Sequence, residues 1–186
     1  MRYSALIVLC SVAFGGCAMT EAVVDIPYVQ DEAASISGAK PVNLSVIDGR
    51  TEDRTRISTK TNGYGAEMGA IRPSRSVVEV VESAMSSELA ARGVGRTAAG
   101  LPISVTVKRF YSQFHTTSAE GQVGLDITIR NPAGQPVFSR QYQGTSSLGI
   151  LVYSGSNAAE AVSAALKDAM AKVFSDRDFL DALAGG

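Results

Sequence analysis

The residue with the most specific chemistry in this 186-residue chain is Cys17, which follows an apolar run, Ala5 to Phe14, and two glycines, Gly15-Gly16. Small residues ahead of a thiol let an extended segment enter a peptidase cleft, and the thiol can then carry a thioether-linked diacylglycerol. Cleavage between Gly16 and Cys17 would make the acylated cysteine the new N-terminus. The next candidates are the charges of the densest cluster, Asp48, Arg50, Asp53 and Arg54. They read first as a strand-end turn tied by local ion pairs and second as a binding or acid/base site. His115, among Gln113, Thr116, Thr117 and Ser118, reads as a solvated hairpin-tip residue rather than a general base. No G-x-S-x-G elbow, G-x-x-x-x-G-K-(S/T) loop or H-E-x-x-H helix occurs. With one histidine and two cysteines, Cys10 inside the apolar run and Cys17 at its end, the chain lacks the ligands of an ordinary zinc site. No metal, cofactor or disulfide is expected.

Met1-Arg2 and the run from Ala5 to Phe14 have the charge and length of a signal peptide, whereas a spanning helix needs about 20 residues. An uncleaved anchor would have to place Gly15-Gly16 inside its helix, and a plain signal cleaved elsewhere is the other alternative. Phe14-Gly15-Gly16-Cys17 resembles the bacterial lipobox, with Phe14 where an aliphatic residue is commoner. The resemblance implies three acyl chains on Cys17, and two already anchor a protein stably. Ala18 follows, not the aspartate that tends to retain such proteins in the inner membrane, so the outer membrane, periplasmic side, is expected.

The chain is 45% hydrophobic with a net charge of −1, which suits one globular domain and gives no field that would call for nucleic acid. Residues 1–16 read as the signal peptide, 17–40 as a lipidated, flexible tether and 41–186 as a single domain. A flexible tether of that length has an end-to-end distance of roughly 25 to 30 Å, enough to hold the domain clear of the headgroups.

Within the domain, Pro41 to Asp48 reads as a strand and Thr51 to Ile71, with Gly63, Gly65 and Gly69, as a mobile loop. Ser76 and Glu79 form a capping box that opens an amphipathic helix, and Gly93 ends it. Ile103, Val105 and Val107, then Val123, Leu125, Ile127 and Ile129, alternate with polar residues as half-buried strands do. A further strand, Val137 to Gln143, follows the Asn131-Pro132-Ala133-Gly134 turn. Asn157-Ala158-Ala159-Glu160 repeats the capping pattern and is expected to open a second helix, and Phe179, Leu180 and Leu183 suggest a terminal turn docked on the core. The expected class is α+β in two layers, ordered β-α-β-β-β-α. A mainly antiparallel four-stranded sheet, five-stranded if Val23 to Val29 adds an edge strand, has both helices on one face.

Hairpins pivoting at residues 117 and 133 would line up Lys108, Asp126 and Arg140 on the open face, with Phe110 and Tyr142 flanking Gly124 in the next row. That surface reads either as a docking groove or as charges that offset one another beside aromatics covering a glycine.

The lipobox, the strand ending in Asp48-Gly49-Arg50, the Ala91-Arg92-Gly93 helix end and the alanine-rich last helix together resemble the YajG-like bacterial lipoproteins. The resemblance implies an outer-membrane lipoprotein with no catalytic residues to carry over. A noncatalytic protein that binds an envelope protein or component is the leading expectation. The alternative is a periplasmic enzyme acting on cell-wall material, which would need an acid/base pair such as Asp48 and Asp53.

Overall fold

The computed structural model describes residues 21–185 apart from Gly63. Gly16 and Cys17, with the expected cleavage and acylation, lie outside the described residues, as does Cys10. The elements run β1 (Ala22–Val24), β2 (Val42–Asp48), β3 (Ser58–Thr61), β4 (Glu67–Pro73), α1 (Val77–Ala91), β5 (Leu101–Phe114), β6 (Ser118–Arg130), β7 (Pro136–Gly149), α2 (Gly155–Ser175) and α3 (Arg177–Gly185).

The fold is α+β in two layers. The main sheet has the order β2-β5-β6-β7, with β2 parallel to β5 across the α1 crossover and the remaining pairs antiparallel. Val42, Leu44, Ile103, Val105, Val107, Val123, Leu125, Ile127 and Ile129 line its inner face and form one core with the apolar stripes of α1 and α2. Phe179 and Leu183 of α3 complete that core. The other face carries Asn43, Ser45, Ser104, Lys108, Ser139 and Gln141, all exposed.

Local signals place α1 where the capping box put it: Ser76 accepts from the Glu79 amide and Glu79 reaches back to the Ser76 amide. The cap of α2 is Ser154, three residues ahead of Asn157, whose amide the serine accepts. Thr51 to Ile71 is not the loop its glycines suggested. It folds into the β3–β4 hairpin, which joins β1 in a second sheet ordered β1-β4-β3. That sheet docks on the part of β5 that outruns β2: the Ser112 amide donates to the Ile57 carbonyl at 2.7 Å, and Ser58 Oγ to the Ser112 carbonyl.

Residues 21–40, expected as tether, instead lie across the domain. Ile26 is buried in the core, the Ile36 amide donates to the Arg92 carbonyl and the Lys40 amide to the Leu183 carbonyl. Tyr28 donates to the buried Glu88, whose carboxylate also takes Arg92, and the Arg92 guanidinium sits 4.2 Å from the centroid of the Phe174 ring. Burial, followed by the bond to Glu88, pushes the Tyr28 hydroxyl far above the ordinary phenol range, so it stays a donor. A hydrogen bond to a charged group contributes about 1.5 kcal/mol. Tyr28→Phe is therefore expected to speed hydrogen exchange about tenfold at the Ile36 and Lys40 amides while leaving the β5–β6 amides unchanged.

Candidate functional site

The charge cluster after β2 is assembled, and Arg50 is its centre. Arg50 is only 5% exposed. Its guanidinium grips both oxygens of Asp48, at 2.9 and 2.8 Å, and donates to the carbonyls of Asp53 at 3.1 Å and Arg54 at 2.8 Å. It also reaches the carbonyls of Arg56 and Phe110, both at 3.4 Å. Arg54 donates to the Asp48 carbonyl, and Asp53, held at a left-handed φ of 53°, pairs with Arg109 at 3.5 Å. The Arg50 fork holds the Asp48 carboxyl below the usual aspartate range. A carboxylate so held has no proton to give at neutral pH and both oxygens engaged. The arrangement fastens the β2–β3 connection to β5.

The five residues expected as one surface are divided by the observed register. A bulge between Val107 and Arg109 sets Lys108 and Arg109 against the single residue Gly124, which turns Phe110 inward against Val123, where it is wholly buried. The Asn131–Gln135 turn keeps the pivot at 133, with Arg130 opposite Pro136, but Val137 is an extra, unpaired residue on β7, so Ile129 pairs with Phe138 rather than Val137. A one-residue slip turns every side chain over. Phe138 and Tyr142 thus enter the core, and Arg140 sits on the helix side, where it pairs with Asp176 and with Asp178 at 2.8 Å. Tyr142 donates to Asp176, and burial with that bond raises its hydroxyl above the ordinary phenol range. Of the five, Lys108 and Asp126 remain on the open face, Asp126 between Thr106 and Gln141. The row Lys108–Asp126–Arg140 and the aromatic pair around Gly124 do not form.

What the open face does hold is a hollow of about 290 Å³ floored by Gly124 and walled by Lys108, Arg109, Gln122, Gln141 and Gln143. Glutamine amides both donate and accept, and Lys108 adds a positive charge beside Arg109, whose guanidinium is taken up by Asp53 and the Tyr111 ring, so the hollow matches amide-rich, acidic groups. Gly124 and Lys108 were visible as its members, but the glutamines carry no pattern of their own. His115 lies beside the β5–β6 turn and contacts Glu120 at 3.3 Å. Among the described residues no three His, Cys, Asp or Glu side chains gather as a metal ion requires, and no helix is long and apolar enough to cross a membrane.

An α+β domain with one helix-covered sheet face, one polar face and a buried arginine knot is thus the class of protein here. The chain belongs to a family of uncharacterized lipoproteins, whose model matches residues 27–184. That agrees with the resemblance to the YajG-like lipoproteins. Among solved structures, a Xanthomonas campestris protein of the DUF330 family is 16% identical with a TM-score of 0.57, over 80% of this chain and 88% of that one. An uncharacterized protein is 10% identical with a TM-score of 0.52, over 83% of this chain and 96% of that one. At those identities the likeness is one of fold alone. A comparison with curated proteins finds no match.

Proposed function

We propose that this lipoprotein is anchored by acylated Cys17 in the outer membrane, faces the periplasm, and binds an envelope protein or component through the open sheet face without catalysing a reaction. The observation that carries the binding role is the uncovered polar face with its amide- and cation-walled hollow over Gly124. The address rests on the Gly16-Cys17 sequence followed by Ala18. The charge cluster supports the noncatalytic reading, since Asp48 and Asp53 are each occupied by an arginine.

A photocrosslinking residue at Gln141, introduced in the living envelope, is expected to capture one partner in a defined ratio. The same group at Glu160, exposed on α2, is expected to capture none. Turnover of purified muropeptides that disappears on changing Asp48 or Asp53 would replace this reading with the enzymatic one. Cys17→Ser is expected to release the domain from the membrane fraction, and its retention there would point to an uncleaved anchor.

A further inference from the structure

Several independent features meet at one end of the molecule. The Ile150 amide donates to the Thr117 carbonyl at the β5–β6 turn, so Leu151 and Val152 project immediately beyond it, 101% and 64% exposed. Behind them Tyr153 stacks on Phe114, with ring centroids 5.0 Å apart, which braces the loop against β5. Arg50 touches the carbonyls of both Arg56 and Phe110, and Ile57 bonds Ser112, so β3 runs alongside β5 in the same direction. The β3–β4 turn therefore lies at this end too. Its Tyr64 is 98% exposed, on a turn fixed by Asn62, whose side chain accepts from the Tyr64 and Ala66 amides.

The chain leaves at the same place. β1 is parallel to β4, and β4 is antiparallel to β3, so the N-terminal end of β1 points towards the β3–β4 turn. A side chain at Gly155 would touch both Ala22 and Val24, which puts β1 beside the loop of Leu151 and Val152. From Glu21 to Cys17 are four residue steps, at most about 14 Å of chain. Two ion pairs near this end are closed within the protein, Arg72 with Glu21 and Arg56 with Glu67.

We propose that this end is a bilayer-facing rim, with Leu151, Val152 and Tyr64 seated among the lipid headgroups as a second, noncovalent anchor. The occupant follows from where the chain ends: an acylated Cys17 holds this rim, and no other part of the domain, against the membrane. Exposed aliphatic and tyrosine side chains suit the interface between water and acyl chains. With the arginines Arg56 and Arg72 paired inside the protein and the projecting side chains apolar, the contact tolerates salt. The proposal rests on the acylation of Cys17, and it orients the open sheet face away from the lipid and across the periplasm.

The test uses the absence of tryptophan from the chain. A chain beginning at Cys17, which keeps every described residue and has that cysteine alone, is coupled through its thiol to a maleimide lipid in phosphatidylcholine vesicles. Leu151→Trp is expected to shift its emission to shorter wavelength on the vesicles and to be quenched by nitroxide-labelled lipids, at low and at high salt. Val137→Trp, at the opposite end of β7 and on a residue 46% exposed, is expected to keep water-like emission. Water-like emission from Leu151→Trp, equal quenching of both positions, or a shift that appears without vesicles through self-association would each overturn the proposal. Acylation in the cell is read separately from the mass of the N-terminal peptide, so failure of the anchor and failure of the rim are distinguishable.

Discussion

Arg50→Ala is expected to lower the free energy of unfolding by about 3 to 5 kcal/mol, the range for breaking a buried ion pair by removing one partner. The loss would appear as an earlier urea midpoint. The reason lies in what the substitution leaves behind: Asp48 loses a two-pronged partner, the carbonyls of Arg54 and Phe110 lose the Arg50 donor, and that of Asp53 keeps only the Arg56 amide. Arg50→Lys is expected to recover less than half, because an ammonium cannot span both carboxylate oxygens and the carbonyls beyond them. Changing Asp48 and Arg50 together is expected to cost less than the sum of the single changes, since neither charge is then left alone.

Acid titration gives the same site a second readout. The folded Asp48 titrates below its ordinary value of 3.8 because of Arg50. Its contribution to stability is therefore complete above that value and is lost as pH falls through the lower, folded one. In Arg50→Ala the depression disappears, and the fall in stability below about pH 4 is expected to flatten at this site.

The elements that the sequence makes legible are those whose signal is local. The capping box of Ser76 and Glu79, the glycine at position 93 and the strict alternation from Ile103 to Val107 and from Val123 to Ile129 each act within a few residues, and each appears where expected. The register failed on two local irregularities that alternation cannot report. The bulge at Lys108 and the unpaired Val137 just inside β7 moved Phe110, Arg140 and Tyr142 off the open face. The β3–β4 hairpin and the strap from Glu21 to Lys40 were hidden for another reason. Their residues are polar and weakly periodic, and what orders them is distant: Ser112 for β3, Glu88 for Tyr28, Leu183 for Lys40. The Arg50 cluster was recognisable as a group of charges. That one of them is buried and bonds four carbonyls depends on β5 folding over it, which no spacing encodes.

Among the described glycines, the two packed tightest against helix backbone carry the other large effect. Gly121 on β6 and Gly144 on β7 lie under α2 with no room for a side chain. A Cβ at Gly144 would sit 2.0 Å from the Ala165 carbonyl oxygen and 2.6 Å from the Ala169 nitrogen, and one at Gly121 would sit 2.1 Å from the Ala161 carbonyl oxygen. Those are backbone atoms of a helix, which cannot turn aside as a side chain can. Gly144→Ala must lift α2, at about 3 kcal/mol, the upper part of the usual range for overpacking. The lift also strains the polar ties that close the outer edge of β7: the Thr145 amide to Asp168, Lys172 to the Gln143 carbonyl and Ser146 to the Ala161 carbonyl. Gly149→Ala, where a Cβ meets nothing within 4 Å, is expected to leave the thermal midpoint unchanged. Because Gly121 and Gly144 press on the same helix one turn apart, at Ala161 and Ala165, the double alanine variant is expected to cost clearly less than the sum of the two. Additive losses would mean that each strand yields separately and that α2 stays in place.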